Sequence, residues 1–594
     1  MIRRLKSSTI FIVSVIFFIA SCAKIVSPSG GPKDIEPPVV IKSVPPSGTI
    51  LFKGNMISVT FNEYVVLDKL NEKFMISPPM DQKPDISLKG KTMRIQFREK
   101  LKDSTTYTLY FQDAIRDLNE GNPLVNFQFV FSTGNKIDSL SVTGNVLQAE
   151  DLNPAENVLV MLHSRLADTA PRMILPDYVI VADPDGYFRI NNVKAGKYRL
   201  YGLIDNNNNK RYDLEDEMFA FSDSVLDVNP SNNYISRQED SLYNVQRKDT
   251  AIKNIQRKSQ ISLFLFKSAR INYYLSSSSR NMPYQLTYIL SIPPGSYSFD
   301  FEGFERNSYF IERSRERDTM TVWLLDSLVW SQPEIKTVLK YPFTDSAGKV
   351  ISRTDTILMR YFVQKQAAKG KQPARSYKPV VNISGGTIKP AQKIVFTSSL
   401  PFSRPDTSKI RLYQTEKEKR STIPFLLYPD SISSLKYYLE AKLTEGNKYL
   451  LITDRGSFRS IYGDVSDSSG YVFSVRPTND FGHLTVHLQN VPCKILIRLL
   501  DNSEKMIDER KLSGNGVVDF PLLERGKYRL KTIYDFNGDN KWTTGNYDMR
   551  IQPEPVSYYL DEIDVKINWI IEQDWDVGTM WIKSENLRKK KIDR

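Results

Sequence analysis

The chain has 594 residues, 81 of them Lys or Arg and 68 Asp or Glu, which gives a formal net charge of +13, and 40% of its residues are apolar. This length and composition predict several globular domains and exclude a protein that is wholly disordered or mainly embedded in a membrane. The two cysteines allow at most one disulfide, and the three histidines leave little material for histidine-based catalysis. A disulfide-stapled scaffold and a cysteine-rich zinc module are therefore excluded.

The N-terminus has the pattern of a secretory signal. Three basic residues within the first six precede an apolar run from Thr9 to Ala20, which is shorter than the ~20 residues of a spanning helix. Ile19-Ala20-Ser21-Cys22 resembles the lipobox of bacterial lipoproteins. The resemblance implies cleavage before Cys22, acylation of Cys22 by palmitate-like chains and, because no aspartate follows, delivery to the outer membrane. The alternative is an ordinary cleaved signal that happens to contain a cysteine.

The next segment is rich in Pro, Gly and Ser up to Pro46, which predicts an extended tether that holds the first domain off the bilayer. Whether the chain faces the periplasm or the outside of the cell stays open.

Short alternating runs then predict a β-sandwich, with strands at 57–61, 93–97, 107–111 and 127–131. Their order, with Pro-Pro before, Gly-Asn-Pro between and Phe-Ser-Thr after, resembles the bacterial Ig-like domain of surface-layer and cell-wall proteins. A diverged copy lies 342 positions further on, because Leu101, Tyr107 and Phe131 correspond to residues 443, 449 and 473.

A second unit follows each Ig-like copy. Gly196-Lys197-Tyr198-Arg199-Leu200 precedes Asp205, and Gly526-Lys527-Tyr528-Arg529-Leu530 precedes Asp535 with the same nine-residue gap. These features resemble the transthyretin-like, carboxypeptidase-regulatory type of small β-sandwich. Gly196 and Gly526 are expected to occupy turn positions that only glycine tolerates.

The sequence thus predicts an all-β chain of tandem Ig-like and transthyretin-like sandwiches. The predicted segments are a signal peptide (1–21), a lipid-anchored tether (22–38), an Ig-like domain (39–134), a transthyretin-like domain (140–227), an unassigned β-rich domain (228–365), a basic linker (366–378), a second Ig-like domain (379–476), a second transthyretin-like domain (482–564), and a C-terminal strand with a basic tail (565–594).

The polar loop after the first Gly-Lys-Tyr-Arg-Leu strand is a candidate site for structural calcium. Asp205, Asn207, Asn209 and Asp213 or Asp216 supply oxygens at alternate positions, as in the first half of an EF-hand loop. The sixth position lacks the expected glycine in both copies of the loop, and Asx residues also form turns without metal. The second loop, from Asp535, has fewer carboxylates and is the weaker candidate. No other cofactor is predicted.

The remaining candidates for chemistry favour structural interpretations. His483 and His487 alternate with apolar residues, which predicts the solvated face of a strand rather than a metal site, and His163 has no sequence partner for a triad. Trp569 is expected in a core. Trp575 and Trp581 either pack back onto the last domain or dock a sugar or a protein.

The function predicted is a non-catalytic scaffold or accessory subunit of a cell-envelope complex, held in the outer membrane by acylated Cys22, with an envelope protein as partner and no nucleic acid. The alternatives are a glycan-binding lipoprotein and a glycan-degrading enzyme that uses two carboxylates within 228–365. No catalytic residue is assigned.

Overall fold

The computed structural model describes residues 34–231, 235–237, 261–268, 272–302, 304–346, 348–361, 377–383, 385–416 and 419–581. The fold is nearly all β and consists of tandem β-sandwich domains. No helix among these residues is long and apolar enough to cross a membrane. The chain divides into two compact units, Met1–Gln148 with Asn153–Leu265 and Ala149–Leu152 with Phe266–Arg594.

The first unit begins with an Ig-like sandwich. Its elements are β1 (Val40–Val44), β2 (Met56–Phe61), β3 (Val65–Leu67), α1 (Leu70–Lys73), β4 (Met75–Ser77), β5 (Asp85–Lys89), β6 (Thr92–Gln96), β7 (Thr106–Tyr110), β8 (Ile115–Asp117) and β9 (Gln128–Ser132). The sheets have the orders β1-β2-β6-β5 and β4-β7-β9, with β3 paired to β8. The four predicted strands match β2, β6, β7 and β9 within a residue or so. Alternate residues such as Ile57 and Val59 are buried, and Tyr107 stacks on Phe131 at 5.3 Å.

A β-sandwich follows at the position predicted to be transthyretin-like, and its elements, except the last two residues of the final strand, belong to the same unit. Its elements are β10 (Leu140–Gln148), β11 (Leu159–His163), α2 (Ala170–Met173), β12 (Tyr178–Val181), β13 (Tyr187–Val193), β14 (Gly196–Leu203), β15 (Met218–Phe221), β16 (Leu226–Val228), β17 (Ile235–Arg237) and β18 (Ile261–Lys267). The main path is β12-β11-β14-β15-β18-β10-β13. Strand β18 lies in the segment that the sequence left unassigned, yet it pairs in parallel with β10, with Ile261 opposite Gly144.

Buried polar contacts join the two sandwiches of the first unit. The Asn192 side-chain amide donates to the Thr108 hydroxyl at 2.8 Å, and both residues are buried. The Val179 backbone N–H donates to the Ser77 hydroxyl at 3.2 Å. Because buried hydrogen bonds are costly to break, these contacts hold the pair together.

The second unit begins with another sandwich, which occupies most of the unassigned region. Its elements are β19 (Leu275–Met282), β20 (Gln285–Leu290), β21 (Asp300–Glu302), β22 (Tyr309–Arg313), β23 (Thr319–Leu324), α3 (Ser327–Trp330), β24 (Glu334–Thr344) and β25 (Val350–Arg360). The sheets have the orders β19-β20-β23-β22 and β21-β24-β25.

The second Ig-like sandwich comes next. Its strands are β26 (Val380–Val381), β27 (Thr387–Ile388), β28 (Ile394–Thr397), β29 (Ile410–Glu416), β30 (Lys419–Thr422), β31 (Phe425–Pro429), β32 (Lys436–Ala441), β33 (Lys448–Thr453) and β34 (Ser469–Val475), and short 3₁₀ turns cover Thr407–Lys409 and Thr478–Asp480. Its sheets are β26-β28-β32-β31 and β27-β34-β33-β29-β30. It shares one apolar core with the preceding sandwich, and Tyr284 stacks on Tyr462 at 4.0 Å.

The last sandwich lies where the second transthyretin-like copy is predicted. Its strands are β35 (Gly482–Gln489), β36 (Ile495–Leu500), β37 (Met506–Leu512), β38 (Gly516–Leu523), β39 (Gly526–Tyr534), β40 (Val556–Tyr558), β41 (Ile563–Val565) and β42 (Ile570–Asp576). The sheets are β38-β35-β42 and β37-β36-β39-β40, with β41 on β39. Strand β42 pairs in parallel with β35, just as β18 pairs with β10.

Two predictions about side chains in these sandwiches are wrong. Trp569 is 54% exposed, not in the core, because β41 ends at Val565 and a turn breaks the alternation before β42 begins. Gly196 and Gly526 do not sit in left-handed turns. They begin β14 and β39, and an added Cβ would lie no closer than 3.4 Å and 3.8 Å, respectively, to the nearest side chain. Trp575 is buried in the last core.

Candidate functional site

The first polar loop joins β14 to β15 and brings several of the predicted ligands together. The side-chain amides of Asn207 and Asn209 lie 3.1 Å and 2.7 Å from the two carboxylate oxygens of Asp213. Both Asp205 oxygens accept backbone N–H groups of the loop, from Asn209 and Lys210. The Asp216 carboxylate accepts instead from the Asn206 side chain, at 3.1 Å.

A buried glutamate, which the sequence analysis did not single out, anchors each polar loop. Glu217 is fully buried and accepts the backbone N–H groups of Asn206, Asp213 and Leu214. Glu554 does the same in the second loop. Burial raises the pKa of both carboxyl groups. Neither glutamate is conspicuous in the sequence as an anchor of its loop, because Glu217 stands in an acidic run and Glu554 lies nineteen positions after Asp535.

The sixth position of each loop adopts the conformation that glycine would supply. Lys210 has φ of 58° and Asn540 has φ of 65°, both in the left-handed region. Asparagine tolerates that region better than lysine does, because its short polar side chain can bond locally. The missing glycine therefore does not prevent the tight turn.

Calcium binding by the first loop stays a prediction. Among the described residues, no group of three or more His, Cys, Asp or Glu side chains is placed to hold a metal ion. A cation at Asp205, Asn207, Asn209 and Asp213 would depend on the two amides turning their oxygens inward.

If calcium binds there, a hundredfold excess over Kd should stabilise the first unit by about 2.7 kcal/mol. Hydrogen exchange of residues 200–221 in the full chain, with calcium and with chelator, measures this. Asp205→Ala should abolish the difference, and identical exchange under both conditions would leave the loop as an Asx-rich turn.

The two surface histidines lie on the solvated face of β35, as predicted. His483 Nε2 is 3.0 Å from Asp519 Oδ1, and His487 Nε2 is 4.0 Å from Glu572 Oε2. Leu484 and Val486, which lie between them, are buried. Each ring therefore lies beside a carboxylate of a neighbouring strand, and Asp519 also accepts from the Thr485 hydroxyl.

The third histidine, His163, is fully buried at the end of β11, and neither ring nitrogen has a hydrogen-bond partner. Its ring meets Tyr201 edge-on at 5.5 Å. Burial lowers the pKa of His163 to about 4, although the charge of Asp177 acts in the opposite direction. No neighbouring group gives this imidazole a catalytic role, but its burial has a consequence for stability.

We expect the first unit to lose stability as the pH falls from about 6.5 to 4. The unfolded chain binds a proton at His163 near pH 6.5, whereas the folded chain resists protonation until about pH 4. The difference corresponds to about 3 kcal/mol. Denaturant unfolding followed by hydrogen exchange at β11 across this range measures the slope. His163→Leu should remove that part of the pH dependence, and an unchanged slope in this variant would contradict the assignment.

Several predicted features lie outside the described residues or have no chemistry in the structure. Cys22, most of the basic linker and the basic tail at 588–591 lie outside the described residues.

Cys493 is a free, half-buried thiol whose pKa is raised by burial. A cavity of about 180 Å³ in the second Ig-like sandwich, lined by Ile394, Leu439 and their neighbours, is smaller than ordinary ligand pockets of about 300–1,000 Å³.

Comparison with known proteins supports the Ig-like prediction for the first sandwich. Residues 34–133 match the bacterial Ig-like domain family. The comparison with curated proteins gives no match. Solved structures with some similarity include the S-layer protein SbsC (12% identity over 84% of this chain and 65% of that one, TM-score 0.13) and an Escherichia coli alpha-2-macroglobulin fragment spanning domains MG0-NIE-MG1 (10% identity over 50% of this chain and 98% of that one, TM-score 0.18). This chain thus spans slightly less than two thirds of the S-layer protein. Because both TM-scores are this low, no property of these two proteins is attributed to this chain.

Proposed function

We propose that this chain is a non-catalytic scaffold of the bacterial cell envelope, anchored in the outer membrane through acylated Cys22 and bound to an envelope protein. The Ig-like match fits an adhesion or scaffold role at the cell surface or outside the cell. The anchor rests on the lipobox resemblance at residues 19–22, followed by the Pro- and Gly-rich tether.

The observation that carries the proposal is the repeated architecture. Apolar clusters fill the interiors of all five sandwiches: three sandwiches have a core of their own, and the two between residues 275 and 475 share one. Within the second unit, the Lys389 ammonium donates to the Leu522 carbonyl and Arg476 pairs with Glu524 at 2.8 Å, which connects neighbouring sandwiches. Domains that are connected in series and have filled interiors can present binding surfaces at a distance from a membrane anchor.

Two carboxylates of the formerly unassigned sandwich have structural partners, which argues against these two as the catalytic pair of a glycan hydrolase. Glu312 accepts from the Trp323 indole N–H and from Ser434, and Asp355 accepts from Tyr341 and Arg353. A pair of catalytic carboxylates needs one member free to act as nucleophile or base beside a cleft. Both of these groups serve as structural acceptors.

The anchor is tested by Cys22→Ser. The variant should leave the membrane fraction and appear in the soluble envelope fraction, because acyl chains at ~0.8 kcal/mol per buried methylene are then missing. The folded domains should be unaffected, as judged by circular dichroism. A Cys22→Ser chain that still sediments entirely with outer membranes would contradict the anchor.

The scaffold role is tested by affinity purification of the acylated chain from gently solubilised outer membranes. A stoichiometric envelope protein should co-purify. Recovery of the chain alone, together with hydrolysis of envelope glycans by the purified chain, would contradict the proposal in favour of the enzyme alternative.

A further inference from the structure

The second polar loop, residues 535–543 between β39 and β40, begins with a buried carboxylate that is only half satisfied. Asp535 is 2% exposed. Its Oδ2 accepts the backbone N–H of Asn540 at 3.1 Å and lies 3.2 Å from the Lys494 ammonium. Its Oδ1 is buried and has no hydrogen-bond partner among the described residues. A buried carboxylate oxygen without a partner is costly and requires an explanation.

The carboxylate contacts the loop backbone through Oδ2, since Asn540 is the sixth loop residue. The side chains of the third, fifth and ninth loop residues meet one another in the same loop. The Thr543 hydroxyl lies 2.8 Å from the Asn537 amide and 2.9 Å from Asp539 Oδ2. Each of these residues stands 330 positions after its counterpart in the first loop, where Asn207, Asn209 and Asp213 also meet. The two copies thus share one arrangement of oxygen-bearing side chains.

We propose that the second loop, rather than only the first, binds a divalent cation of the calcium class, with Asp535 Oδ1 as its buried ligand. Asp539, Asn537 and Thr543 supply further oxygens at the spacing of an EF-hand loop, whose seventh residue contributes a backbone carbonyl. Glu554 positions the loop, because it accepts the backbone N–H groups of Phe536, Asn537 and Thr543.

Two carboxylates and several neutral oxygens bind calcium weakly, in the range of about 10⁻⁴–10⁻³ M that extracellular modules use. Such a site contains fewer than three acidic side chains, so it is consistent with the absence of larger acidic groups in the described chain. Lys494 lowers the affinity further, because its ammonium lies beside Asp535 Oδ2 and 3.3 Å from the Gly538 carbonyl.

Tryptophan placement makes the second loop separately observable. All six tryptophans lie at position 323 or later, so none belongs to the first unit. Trp542 is the eighth residue of the loop, and its indole N–H donates to the Glu554 carbonyl at 2.9 Å. Luminescence of bound Tb³⁺ excited through tryptophan therefore reports on a cation held beside Trp542, and a matched variant of the first loop shows whether that loop contributes.

The test is a Tb³⁺ titration of the full chain with tryptophan excitation, followed by displacement with calcium. Wild type should show luminescence that calcium removes. Asp535→Asn and the exposed-residue variant Asp539→Asn should weaken Tb³⁺ binding at least about tenfold, whereas Lys494→Met should tighten it about tenfold. Asp205→Asn, the matched change in the first loop, should leave the titration unchanged.

Several results would overturn the proposal. These are an absence of tryptophan-excited Tb³⁺ emission in wild type, emission that calcium does not displace, or binding unaltered by Asp539→Asn. If Asp535→Asn fails to fold, the Asp539→Asn and Lys494→Met titrations decide. A loss of emission in Asp205→Asn equal to that in Asp539→Asn would also contradict the assignment.

Discussion

Gly144→Ala should destabilise the first unit by about 3 kcal/mol or more. Gly144 lies within β10, between β13 and β18, and an added Cβ would come within 2.3 Å of the Ile261 carbonyl oxygen and 2.5 Å of the Phe188 ring. Overpacking of a core usually costs 1–3 kcal/mol, and here one of the obstructing atoms belongs to a paired backbone that cannot rotate away. Denaturant unfolding, with hydrogen exchange at β10, measures the loss.

Gly196→Ala is the matched control in the same domain. The Cβ at position 196 would make only ordinary contact with Tyr198, at 3.4 Å, and the backbone there is not left-handed. The variant should be as stable as wild type, or more stable by about 0.4–1 kcal/mol through reduced entropy of the unfolded chain. Equal stability of Gly144→Ala and Gly196→Ala would show that the parallel pairing of β18 with β10 is wrong.

Trp323→Ala should lower the free energy of unfolding of the second unit by about 3–5 kcal/mol. The side chain is fully buried in the core shared by two sandwiches, and its indole N–H donates to Glu312 at 3.0 Å. Glu312 also accepts the backbone N–H of Ser434 at 3.0 Å, so the substitution opens a cavity and loosens the connection to the second Ig-like sandwich.

Trp569→Ala provides a control of the same residue type in the same unit. That indole is 54% exposed and makes a cation–π contact with Lys566 at 4.5 Å, so its loss should cost no more than about 1 kcal/mol. Chemical unfolding of both variants measures the difference. A Trp323→Ala chain as stable as Trp569→Ala would contradict the shared core.

The strands that were predicted best are those whose alternation is local. Ile57 and Val59 in β2 and His483 and His487 in β35 each show the period of two that places one face inward and the other in solvent. The offset of 342 positions and the nine-residue gap shared by the two Gly-Lys-Tyr-Arg-Leu segments predicted the copies, because equivalent sandwiches need the same inward residues at the same spacing.

Sequence patterns predicted less well where strands end and whether a single side chain is buried or exposed. The alternation through Val565 and Ile571 continued across a turn, which left Trp569 in solvent although the pattern predicted burial. Gly196 looked like a turn residue because it precedes a strand, but its backbone is ordinary. Lone residues carry no periodic signal, so the burial of His163 could not be predicted.

Local periodicity and constant spacing were enough to predict the all-β class, the strands of the first sandwich and the alternate polar positions in the two loops. Which distant segments meet became visible only in the folded structure. The tertiary structure placed β18 beside β10, joined Trp323 and Ser434 through Glu312, buried His163, and left one Asp535 oxygen unpaired. Such contacts depend on which strands meet in space, and neither composition nor spacing along the chain specifies that.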